Sequence, residues 1–409
     1  MSLWKIVLKN ILQRRLSSTL TAASIGLGVA VVIAVLALRA QSREGFSQSA
    51  YGYELVVGAK GSPLQLVLNV VYHMDDLSAN LSYARYRELA AHKAVAQAIP
   101  LSDGDSFQGV RIIGTTDAFF TGLEVQPGRR FEVEGRLFRF DPERLEKAMA
   151  GQPSEGPSEA VLGSSAAAKT GLRIGDRFQP SHGVGETGEK HQEEWTVVGI
   201  LKPTGTPNDR VIFINLDSFY EIREHKKASQ VSAVIVKTRS EGSSYALEYD
   251  LNQLPDCMAA SPAKVMAGFF ERFDWVPLLL LAISVLVVVM ASVSVFVAIT
   301  NSMSERRRPI AILRALGARR TSVLAIILLE ALALCAAGAL AGLVLGHVLV
   351  ALAGLALSAR SGIPVSALAA GPEELAVVAG VLVLGALAGI FPAYQAYRSD
   401  IADGLSPAS

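Results

Sequence analysis

The sequence predicts a membrane protein of the α+β class: a four-span transmembrane helical bundle with a large mixed α/β extracytoplasmic domain inserted between spans 1 and 2. Three observations predict this fold. Of the 409 residues, 51% are hydrophobic and only 18% are charged. The apolar residues concentrate in four stretches, and the long segment between the first two stretches mixes strand and helix patterns. The mean hydropathy of +0.36 is also high for a soluble protein.

Four apolar stretches reach or approach the roughly 20 helical residues that a bilayer requires. They are Thr19–Leu38, Trp275–Ile299, Val323–Leu357 and Leu375–Phe391. The first is too long for the core of a signal peptide and no cleavage pattern follows it, so we expect it to remain as an anchor. The third is too long for one straight span and too short for two. It predicts a single long, tilted helix.

Basic residues beside the spans predict the orientation of the chain. Those before the first span are Lys5, Lys9, Arg14 and Arg15. The segment ERRRPIAILRALGARR, residues 305–320 between the second and third spans, holds six arginines against one glutamate. We expect both regions to face the cytoplasm, which places both termini of this multi-pass protein on the cytoplasmic side of the membrane. The segment between the third and fourth spans has only Arg360, Glu373 and Glu374 as charged residues and fits the outer side.

These spans and flanks divide the chain into nine segments. We predict a cytoplasmic amphipathic helix at 1–18, a transmembrane helix at 19–39, an extracytoplasmic (periplasmic) α/β domain at 40–274, a second transmembrane helix at 275–300, a cytoplasmic helix and loop at 301–322, a long third transmembrane helix at 323–357, an extracytoplasmic loop at 358–374, a fourth transmembrane helix at 375–391 and a cytoplasmic tail at 392–409. In the large domain, DRVIFINL and VSAVIVKT alternate as strands do. We expect two lobes there, one of them formed from discontinuous stretches.

Composition excludes several classes of function. A net charge of +1 gives no overall attraction to nucleic acid. The two cysteines, Cys257 and Cys335, provide neither a disulfide framework nor a CxxC metal site, and they leave the redox compartment open. A serine nucleophile elbow, an HExxH motif and paired catalytic carboxylates are all missing from the sequence, so we expect no enzymatic activity in this chain itself.

Two further motifs are weak. GSSAAAKT, residues 163–170, is one residue from a phosphate loop, but Ala168 replaces the glycine that permits close approach of the backbone to phosphate, and we expect no nucleotide there. His182, His191 and Glu193 lie in or beside a Gly-rich segment, but their spacing matches no defined zinc pattern. We therefore expect a solvated hairpin tip and no metal site.

The spans carry small residues at fourfold spacing, which lets helix backbones approach closely in a membrane. The helix-packing candidates are Gly26 and Ala30, flanked by Ala22 and Ala34, in the first span; Gly338, Gly342 and Gly346 in the third; and Gly385 and Gly389 in the fourth. The alternative interpretation is composition, because Ala and Gly are common in apolar chains. If the stripes are packing faces, they predict a rigid bundle.

Charged residues are almost absent from the spans, which argues against a route for ions or polar solutes through the bilayer. Glu330 lies in the first turns of the third span, where we expect it to reach Arg319, Arg320 or the membrane interface. His347 is predicted to be a packed histidine near the outer boundary.

The cationic segment has a pattern of its own. Ile310, Leu313 and Leu316 recur at helical spacing, while Pro309 suits the first turn of a short helix and Gly317 its end. Such an amphipathic helix either lies on lipid or docks into the groove of a partner, and the arginines alone can also be a simple topology signal.

The same segment resembles the coupling segment of the FtsX-like, or MacB-type, ABC transporter permeases, in which ER is followed by two variable positions, EIG, two apolar residues and RALGA. The matching residues are Glu305, Arg306, Ile310, Ile312, Leu313, Arg314, Ala315, Leu316, Gly317 and Ala318. Pro309 and Ala311 stand where the family usually has Glu and Gly, which removes one carboxylate. The N-terminal WKIVLKNILQRRLSSTLTAASIGLGVAVVIAV is similar to the N-terminal helix and first span of the family, and the C-terminal FPAYQAYRSDIADGL is similar to its tail.

The resemblance implies a homodimeric permease of the bacterial inner membrane that works with a separate ABC ATP-binding subunit and binds no cofactor directly, with ATP used by that partner. It assigns ATPase coupling to eight of the matching residues: Glu305, Arg306, Ile310, Leu313, Arg314, Leu316, Gly317 and Ala318. Members transmit mechanical motion to the periplasmic domain, which implies extraction or export of a hydrophobic or periplasmic cargo. The alternative is a regulator that activates a periplasmic enzyme or adaptor by the same stroke; a receptor without an ATPase is a third possibility. A periplasmic adaptor, lipoprotein or hydrolase is the corresponding further partner.

Overall fold

A computed structural model describes residues 3–48, 52–150, 152, 156–183, 191–222, 229–315, 318–361, 365–369 and 371–398. The chain divides into two compact units. The helical unit comprises Met1–Gln41, Phe273–Ala356 and Val365–Ser409, and the globular unit comprises Ser42–Arg272 and Leu357–Pro364.

The described elements follow one another from a helical N-terminus, through a mixed α/β region, to a helical C-terminus. The helices are α1 (Leu3–Gln13), α2 (Arg15–Gln48), α3 (Pro63–Tyr72), α4 (Tyr83–Ala91), α5 (Ala118–Gly122), α6 (Pro142–Met149), α7 (Ser164–Thr170), α8 (Leu216–Phe219), α9 (Glu241–Gln253), α10 (Pro262–Phe273), α11 (Trp275–Ala315), α12 (Arg320–Ser361) and α13 (Pro372–Arg398), with a 3₁₀ turn at Pro207–Arg210. The strands are β1 (Leu55–Ala59), β2 (Leu81–Ser82), β3 (Val95–Phe107), β4 (Val110–Thr115), β5 (Val133–Gly135), β6 (Glu159–Leu162), β7 (Arg177–Phe178), β8 (Ser181–His182), β9 (Trp195–Leu201), β10 (Ile212–Asn215), β11 (Gln230–Val231), β12 (Ala233–Thr238) and β13 (Cys257–Ala260).

Four helical stretches in the described part of the chain are long and apolar enough to cross a membrane. They are Arg15–Gln41, Pro262–Asn301, Arg320–Ser358 and Pro372–Tyr394. Each contains one of the four apolar stretches predicted from the sequence. The third is one unbroken helix, α12, as its length predicts.

The cationic segment differs from its prediction. We expected a separate short helix with Pro309 in its first turn, but α11 continues from the second apolar stretch without a break to Ala315. The sequence NSMSERRR before Pro309 contains no glycine or proline, so nothing ends the helix there. Pro309 removes one backbone hydrogen bond and its ring crowds the carbonyl four residues earlier, yet α11 continues through it.

The globular unit is built on one mixed sheet. Its strands run in the order β13-β1-β12-β3-β4-β10-β6-β9-β5, with β7 beside β9 and β8 beside β3. Neighbours are antiparallel except for the parallel pairs β10–β4 and β6–β9. A separate small sheet pairs β11 with β2.

Strand β3 joins the two halves of this sheet. Its first part pairs with β12 and its second part with β4, and the register shifts between Asp103 and Asp105. The strands on the β12 side come from 55–59, 233–238 and 257–260, before and after the stretch that supplies the β4 side, so this half is formed from discontinuous stretches as predicted. The two halves are nevertheless parts of one sheet and not separate lobes, because the 13 residues of β3 are enough to pair with both.

Alternation along the strands separates two core faces. In β12, Ile235 belongs to a core that also holds Phe213 of β10, while Val234 and Val236 face a second core that packs α4 and α9. Since successive strand residues point to opposite sides, one apolar face runs beneath both halves of the sheet. On the opposite side, Trp195 of β9 is buried in a third cluster.

Local sequence signals fix the helix ends of this unit. The Ser62 hydroxyl accepts from the Gln65 amide and Pro63 occupies the first turn of α3. His73 ends α3 in the left-handed conformation with φ of 52°. Asp141 caps α6 in the same way as Ser62 caps α3, and Ser240 begins α9 with a capping box. These side chains satisfy backbone amides that helix ends leave without partners.

Candidate functional site: the helix seams and the coupling segment

The residues of the predicted coupling segment fall at the end of α11 and in the few residues between α11 and α12. The backbone of Glu305, Arg306, Ile310, Leu313 and Arg314 is helical, and Arg314 is half-buried. The side chains of the first four lie outside the described residues. Leu316 and Gly317 also lie outside them, and Ala318 is half-buried just before α12.

The first residue of α12 makes an aromatic contact at this end of the bundle. The Arg320 guanidinium carbon lies 5.8 Å from the centroid of the Tyr397 ring near the end of α13. This distance is within the range of a cation–π interaction. The beginning of α12 is therefore held against the C-terminal helix.

Helices α2 and α12 meet along the predicted glycine stripe. A Cβ atom placed on Gly342 would lie 2.6 Å from both the Gly26 oxygen and Val29 Cβ. One on Gly338 would lie 2.7 Å from Ile25 Cβ, and one on Gly346 2.9 Å from Ile33 Cγ2. Real Cβ atoms do not approach other atoms so closely. Glycine at these three positions therefore allows α2 and α12 to lie this close together. We call this contact the α2–α12 seam.

A second seam joins α12 to α13. A Cβ atom on Gly385 would lie 2.3 Å from Cys335 Sγ, and one on Gly389 would lie 2.9 Å from Ala331 Cβ. Ala331 and Cys335 are themselves buried. Close backbone approach of this kind maximises van der Waals contact between helices where lipid provides no hydrophobic driving force.

The two polar residues of the third apolar stretch are both engaged. Glu330 is 8% exposed and accepts a hydrogen bond from the Asn10 amide of α1 at 3.3 Å, a partner that the sequence did not indicate. His347 Nδ1 lies 2.7 Å from the Ala367 oxygen, and its Nε2 lies 3.4 Å from the Glu374 carboxylate in the first turn of α13. His347 thus contacts the segment between α12 and α13.

Polar contacts also join the later part of α2 to neighbouring segments. Arg39 of α2 donates to the Asp274 carboxylate beside α11 at 3.0 Å. The Gln41 side chain exchanges two hydrogen bonds with the backbone of Ser366, at 3.0 and 2.6 Å. Since the first pair is exposed, it contributes orientation more than stability.

The globular unit contains a buried polar cluster around Arg111 on β4. Arg111 donates to Asp103 at 2.8 Å and to Asp76 at 2.7 Å, and the Asn69 amide donates to the same Asp103 oxygen at 2.7 Å. Arg111 is 9% exposed. A buried guanidinium requires such partners, because an unpaired buried charge is costly.

His73 lies beside this cluster. Its Nε2 is 2.9 Å from Asn208 Oδ1 in the 3₁₀ turn. Burial lowers the pKa of His73 from its usual 6.5 to about 4; the hydrogen bond to Asn208 acts against this shift, and the charge of Arg111 adds to it. The ring is therefore neutral at physiological pH and joins the end of α3 to the 3₁₀ turn.

A second buried ion cluster joins α6 to α8. The Arg144 guanidinium pairs with Asp217 at 2.8 Å and with Glu221. Burial raises the pKa of Asp217 to about 6 although Arg144 acts in the opposite direction. The geometry of the pair, with Asn215 also donating to Asp217, favours the ionised carboxylate at neutral pH.

The two weak motifs have different outcomes. Gly163 precedes the seven-residue helix α7, and a Cβ there would lie 2.4 Å from the Asn208 oxygen, so packing explains this glycine. The solvated hairpin tip is wrong for His191, which is 6% exposed, because its ring reaches the Asp105 carboxylate. His182 is exposed as expected, and Glu193 lies outside the group that these residues form.

Comparison with known families decides the identity of the chain. The profile of the MacB-like periplasmic core domain matches residues 18–254, more than half of the chain, and the profile of the FtsX-like permease C-terminal region matches residues 281–401. This chain belongs to the FtsX/MacB-type permease family. It is thus a multi-pass membrane component of an ABC-type transporter.

Two solved structures are similar to part of this permease. The periplasmic region of MacB from Actinobacillus actinomycetemcomitans shares 12% identity at a TM-score of 0.36, covering 54% of this chain and 94% of that chain. The extracellular domain of the noncanonic ABC-type transporter YknZ from Gram-positive bacteria shares 12% identity at a TM-score of 0.30, covering 51% of this chain and 99% of that one. No curated protein sequence matches the permease.

Sequence reasoning missed three side-chain contacts of this permease: Asp105 beside the two histidines, Asn10 beside Glu330, and Glu374 beside His347. Each joins residues far apart in the chain. Nothing in the sequence around Asp105 indicates its partners. For Glu330 the sequence did indicate that a partner exists, because a carboxylate within an apolar stretch needs a hydrogen-bond donor.

Proposed function

We propose that this permease acts as a homodimer that transmits the ATP-driven motion of a separate ABC ATP-binding subunit to its globular domain. The globular domain lies on the periplasmic side, both termini lie in the cytoplasm, and the motion extracts or exports a hydrophobic or periplasmic cargo. ATP is hydrolysed on the partner subunit, and this chain binds no cofactor of its own for that step. Membership in an ABC permease family supports the partnership with an ATP-binding subunit.

The observation that carries the proposal is the continuity of α11. This helix of 41 residues includes both the second apolar stretch and most of the coupling residues. At 1.5 Å per residue, it is roughly 60 Å long. Because most of the coupling residues are part of the same helix, a displacement imposed on them is passed along its backbone to the membrane-embedded part.

The two seams support transmission through the rest of the bundle. Helix α12 follows the coupling segment directly, and the glycines of the α2–α12 seam bring backbone and β-carbons of the two helices into contact. Sliding these helices past each other would drive side chains into the closely approaching backbone. We therefore propose that the packing residues Gly26, Ala30, Gly338, Gly342, Gly346, Gly385 and Gly389 let the bundle move as a rigid body.

The apolar stretches support a cargo that does not pass through a charged channel. Glu330 is the one Asp, Glu, Lys or Arg within Thr19–Leu38, Trp275–Ile299, Val323–Leu357 and Leu375–Phe391. A charged group costs roughly 2.5–3.5 kcal/mol at the centre of a span on insertion scales, and transporters of ions and polar solutes include such groups where they need them. This favours work on a cargo outside the bilayer core or within its lipid.

The test is a substitution on the apolar side of the coupling segment. Leu313→Asp in the full-length permease, purified with the ATP-binding subunit, is expected to preserve expression but to abolish ATP-dependent motion of the globular domain, because a carboxylate replaces an apolar docking contact. Ala311→Asp adds the same charge on another side of the helix and is the matched control. Spin labels on Tyr249→Cys, a position that is 66% exposed in α9, report the distance between the two globular domains.

The outcomes separate the alternatives. An ATP-dependent change in distance that persists in Leu313→Asp contradicts the coupling proposal. An ATP-dependent change that Leu313→Asp abolishes and Ala311→Asp retains supports it. The partner that then co-purifies through the globular domain distinguishes transport from regulation: an adaptor or lipoprotein favours transport, and a hydrolase favours the regulatory alternative.

A further inference from the structure

Asp105, His182 and His191 bring three potential metal-ligand atoms together in the globular unit. All three atoms lie within 4.8 Å of one another. His191 Nε2 is 3.1 Å from Asp105 Oδ1, and His182 Nδ1 is 3.4 Å from the same oxygen. Asp105 is fully buried and His191 nearly so, whereas the His182 side chain is 57% exposed.

The backbone holds Asp105 and His182 opposite each other. The two residues are register partners in the antiparallel pair β3–β8. On either side of this pair, the Gly183 amide donates to the Gly104 oxygen at 2.7 Å, and the Ser181 hydroxyl donates to the Ser106 oxygen at 3.1 Å. Gly104, with φ of 150°, sits at the register shift of β3 immediately before Asp105. Such irregularities in a strand reorient the neighbouring side chain, which here is that of Asp105.

His191 is fixed independently. Its backbone amide donates to the Pro180 oxygen at 2.9 Å, so the chain returns to β8 at this residue. The rings of His182 and His191 are nearly perpendicular, at 88°, with centroids 5.9 Å apart. One buried and one exposed imidazole therefore approach the same carboxylate from different directions.

We propose that Asp105, His182 and His191 bind one divalent transition-metal cation of the zinc class. Ligand atoms at about 2.0–2.2 Å from a tetrahedral zinc ion lie about 3.3–3.6 Å from one another. The two nitrogen–oxygen distances of 3.1 and 3.4 Å are close to that spacing, and the two histidine nitrogens lie within 4.8 Å of each other. Three protein ligands leave the fourth position to water.

The donor set selects the cation. Two imidazole nitrogens and one carboxylate oxygen suit zinc, cobalt or nickel, whereas magnesium and calcium require more oxygen ligands than this cluster provides. A divalent cation also balances the negative charge of the buried Asp105 carboxylate. Bound metal would join β8 and the chain at His191 to β3, which stabilises the globular unit without involving the ATP-binding subunit.

The experiment measures zinc binding to the full-length permease in detergent, purified without a histidine tag and stripped with EDTA. Isothermal titration is expected to give one zinc ion per chain, with no competition from a millimolar excess of magnesium or calcium. Cobalt is expected to give the visible absorption of a four-coordinate site.

Two variants remove one ligand each: His182→Ala, which alters an exposed side chain, and His191→Ala. Each is expected to weaken zinc binding by roughly tenfold or more, since even the outer partners of metal ligands contribute that much. Glu193→Gln, a neighbouring carboxylate outside the cluster, is the matched control and is expected to bind zinc as the wild type does.

Saturable binding of one zinc ion that His182→Ala weakens and Glu193→Gln leaves unchanged supports the site. Absence of saturable binding overturns it, as does equal affinity of the wild type and His182→Ala. If His191→Ala fails to fold because its side chain is buried, His182→Ala decides alone. Cobalt spectra that are unchanged by His182→Ala would also contradict the site.

Discussion

At the scale of single residues, His73 shows how one side chain can connect two elements and make the connection sensitive to pH. Its backbone amide donates to Asn69, which closes the end of α3, and its ring reaches Asn208 in the 3₁₀ turn. The Nδ1 atom is buried and has no hydrogen-bond partner among the described residues. Protonation would place a donor and a charge on that atom, so the folded state favours the neutral ring.

Acidification is expected to destabilise the permease through His73. The folded pKa of about 4 lies below the unfolded value of 6.5, so below pH 6.5 the unfolded state binds a proton that the folded state does not. Stability is then lost as the pH falls from 6.5 to about 4, by at most roughly 2 kcal/mol between pH 7 and 5. Thermal unfolding of the full-length protein in detergent, followed by the fluorescence of the buried Trp195 in a background of Trp4→Phe and Trp275→Phe, measures this loss.

His73→Asn is the informative variant, because asparagine tolerates the left-handed backbone and does not titrate in this range. Its stability is expected to be lower than that of the wild type at neutral pH but less dependent on pH between 6.5 and 4. His92→Asn, at an exposed histidine, is the control and is expected to retain the pH dependence of the wild type. An unchanged pH dependence in His73→Asn would show that another group is responsible.

At the scale of elements, the sequence predicts best what repeats along the chain. The alternation of VSAVIVKT predicts β12, and the long apolar run predicts the unbroken helix α12, because both patterns have the period of the structure they form. The end of α11 was mispredicted because proline is frequent in the first turn of a helix, so Pro309 suggested that a new helix begins there. The only sequence sign that α11 continues is that no glycine or proline lies just before Pro309 to end it. The contact of Asp105 with His182 spans 77 residues and has no local signal at all.

Gly342→Val is expected to destabilise the α2–α12 seam by about 1–3 kcal/mol, the usual cost of overpacking. Its Cβ would lie 2.6 Å from the backbone oxygen of Gly26, and a backbone atom cannot move aside as a flexible side chain can. The measurement is thermal unfolding of the full-length protein in detergent, together with ATP-dependent motion of the globular domain.

Gly380→Val provides the matched control for this prediction. Gly380 lies in α13, and a Cβ there meets no atom within 4 Å. The change in stability is expected to stay within about 0.5 kcal/mol, since the substitution alters no packing contact. Equal destabilisation by the two substitutions would mean that helix propensity, and not the seam, determines the outcome.

At the scale of the whole molecule, the distribution of charge is the basis for the proposed orientation. The net charge is only +1, but the six arginines of 305–320 and the basic residues before the first apolar stretch lie in short flanks, where positive charge determines which side stays in the cytoplasm. The globular unit is long enough to cross the membrane largely regardless of its own charge. The orientation therefore depends on the flanks alone.

Cysteine accessibility in intact spheroplasts tests this orientation. A membrane-impermeant maleimide is expected to label Tyr249→Cys, in the globular unit, without permeabilisation, and to label Leu12→Cys, in α1, only after it; the two positions are 66% and 57% exposed. The parent protein is the control, because the native Cys257 and Cys335 are buried and should react slowly. Basic residues keep their short flanks in the cytoplasm, whereas a long domain such as the globular unit crosses the membrane largely regardless of its charge. The two labels are therefore expected to report opposite sides of the membrane. Labelling of Leu12→Cys in intact spheroplasts, or protection of Tyr249→Cys until permeabilisation, would reverse the orientation and with it the direction in which the proposed motion is transmitted.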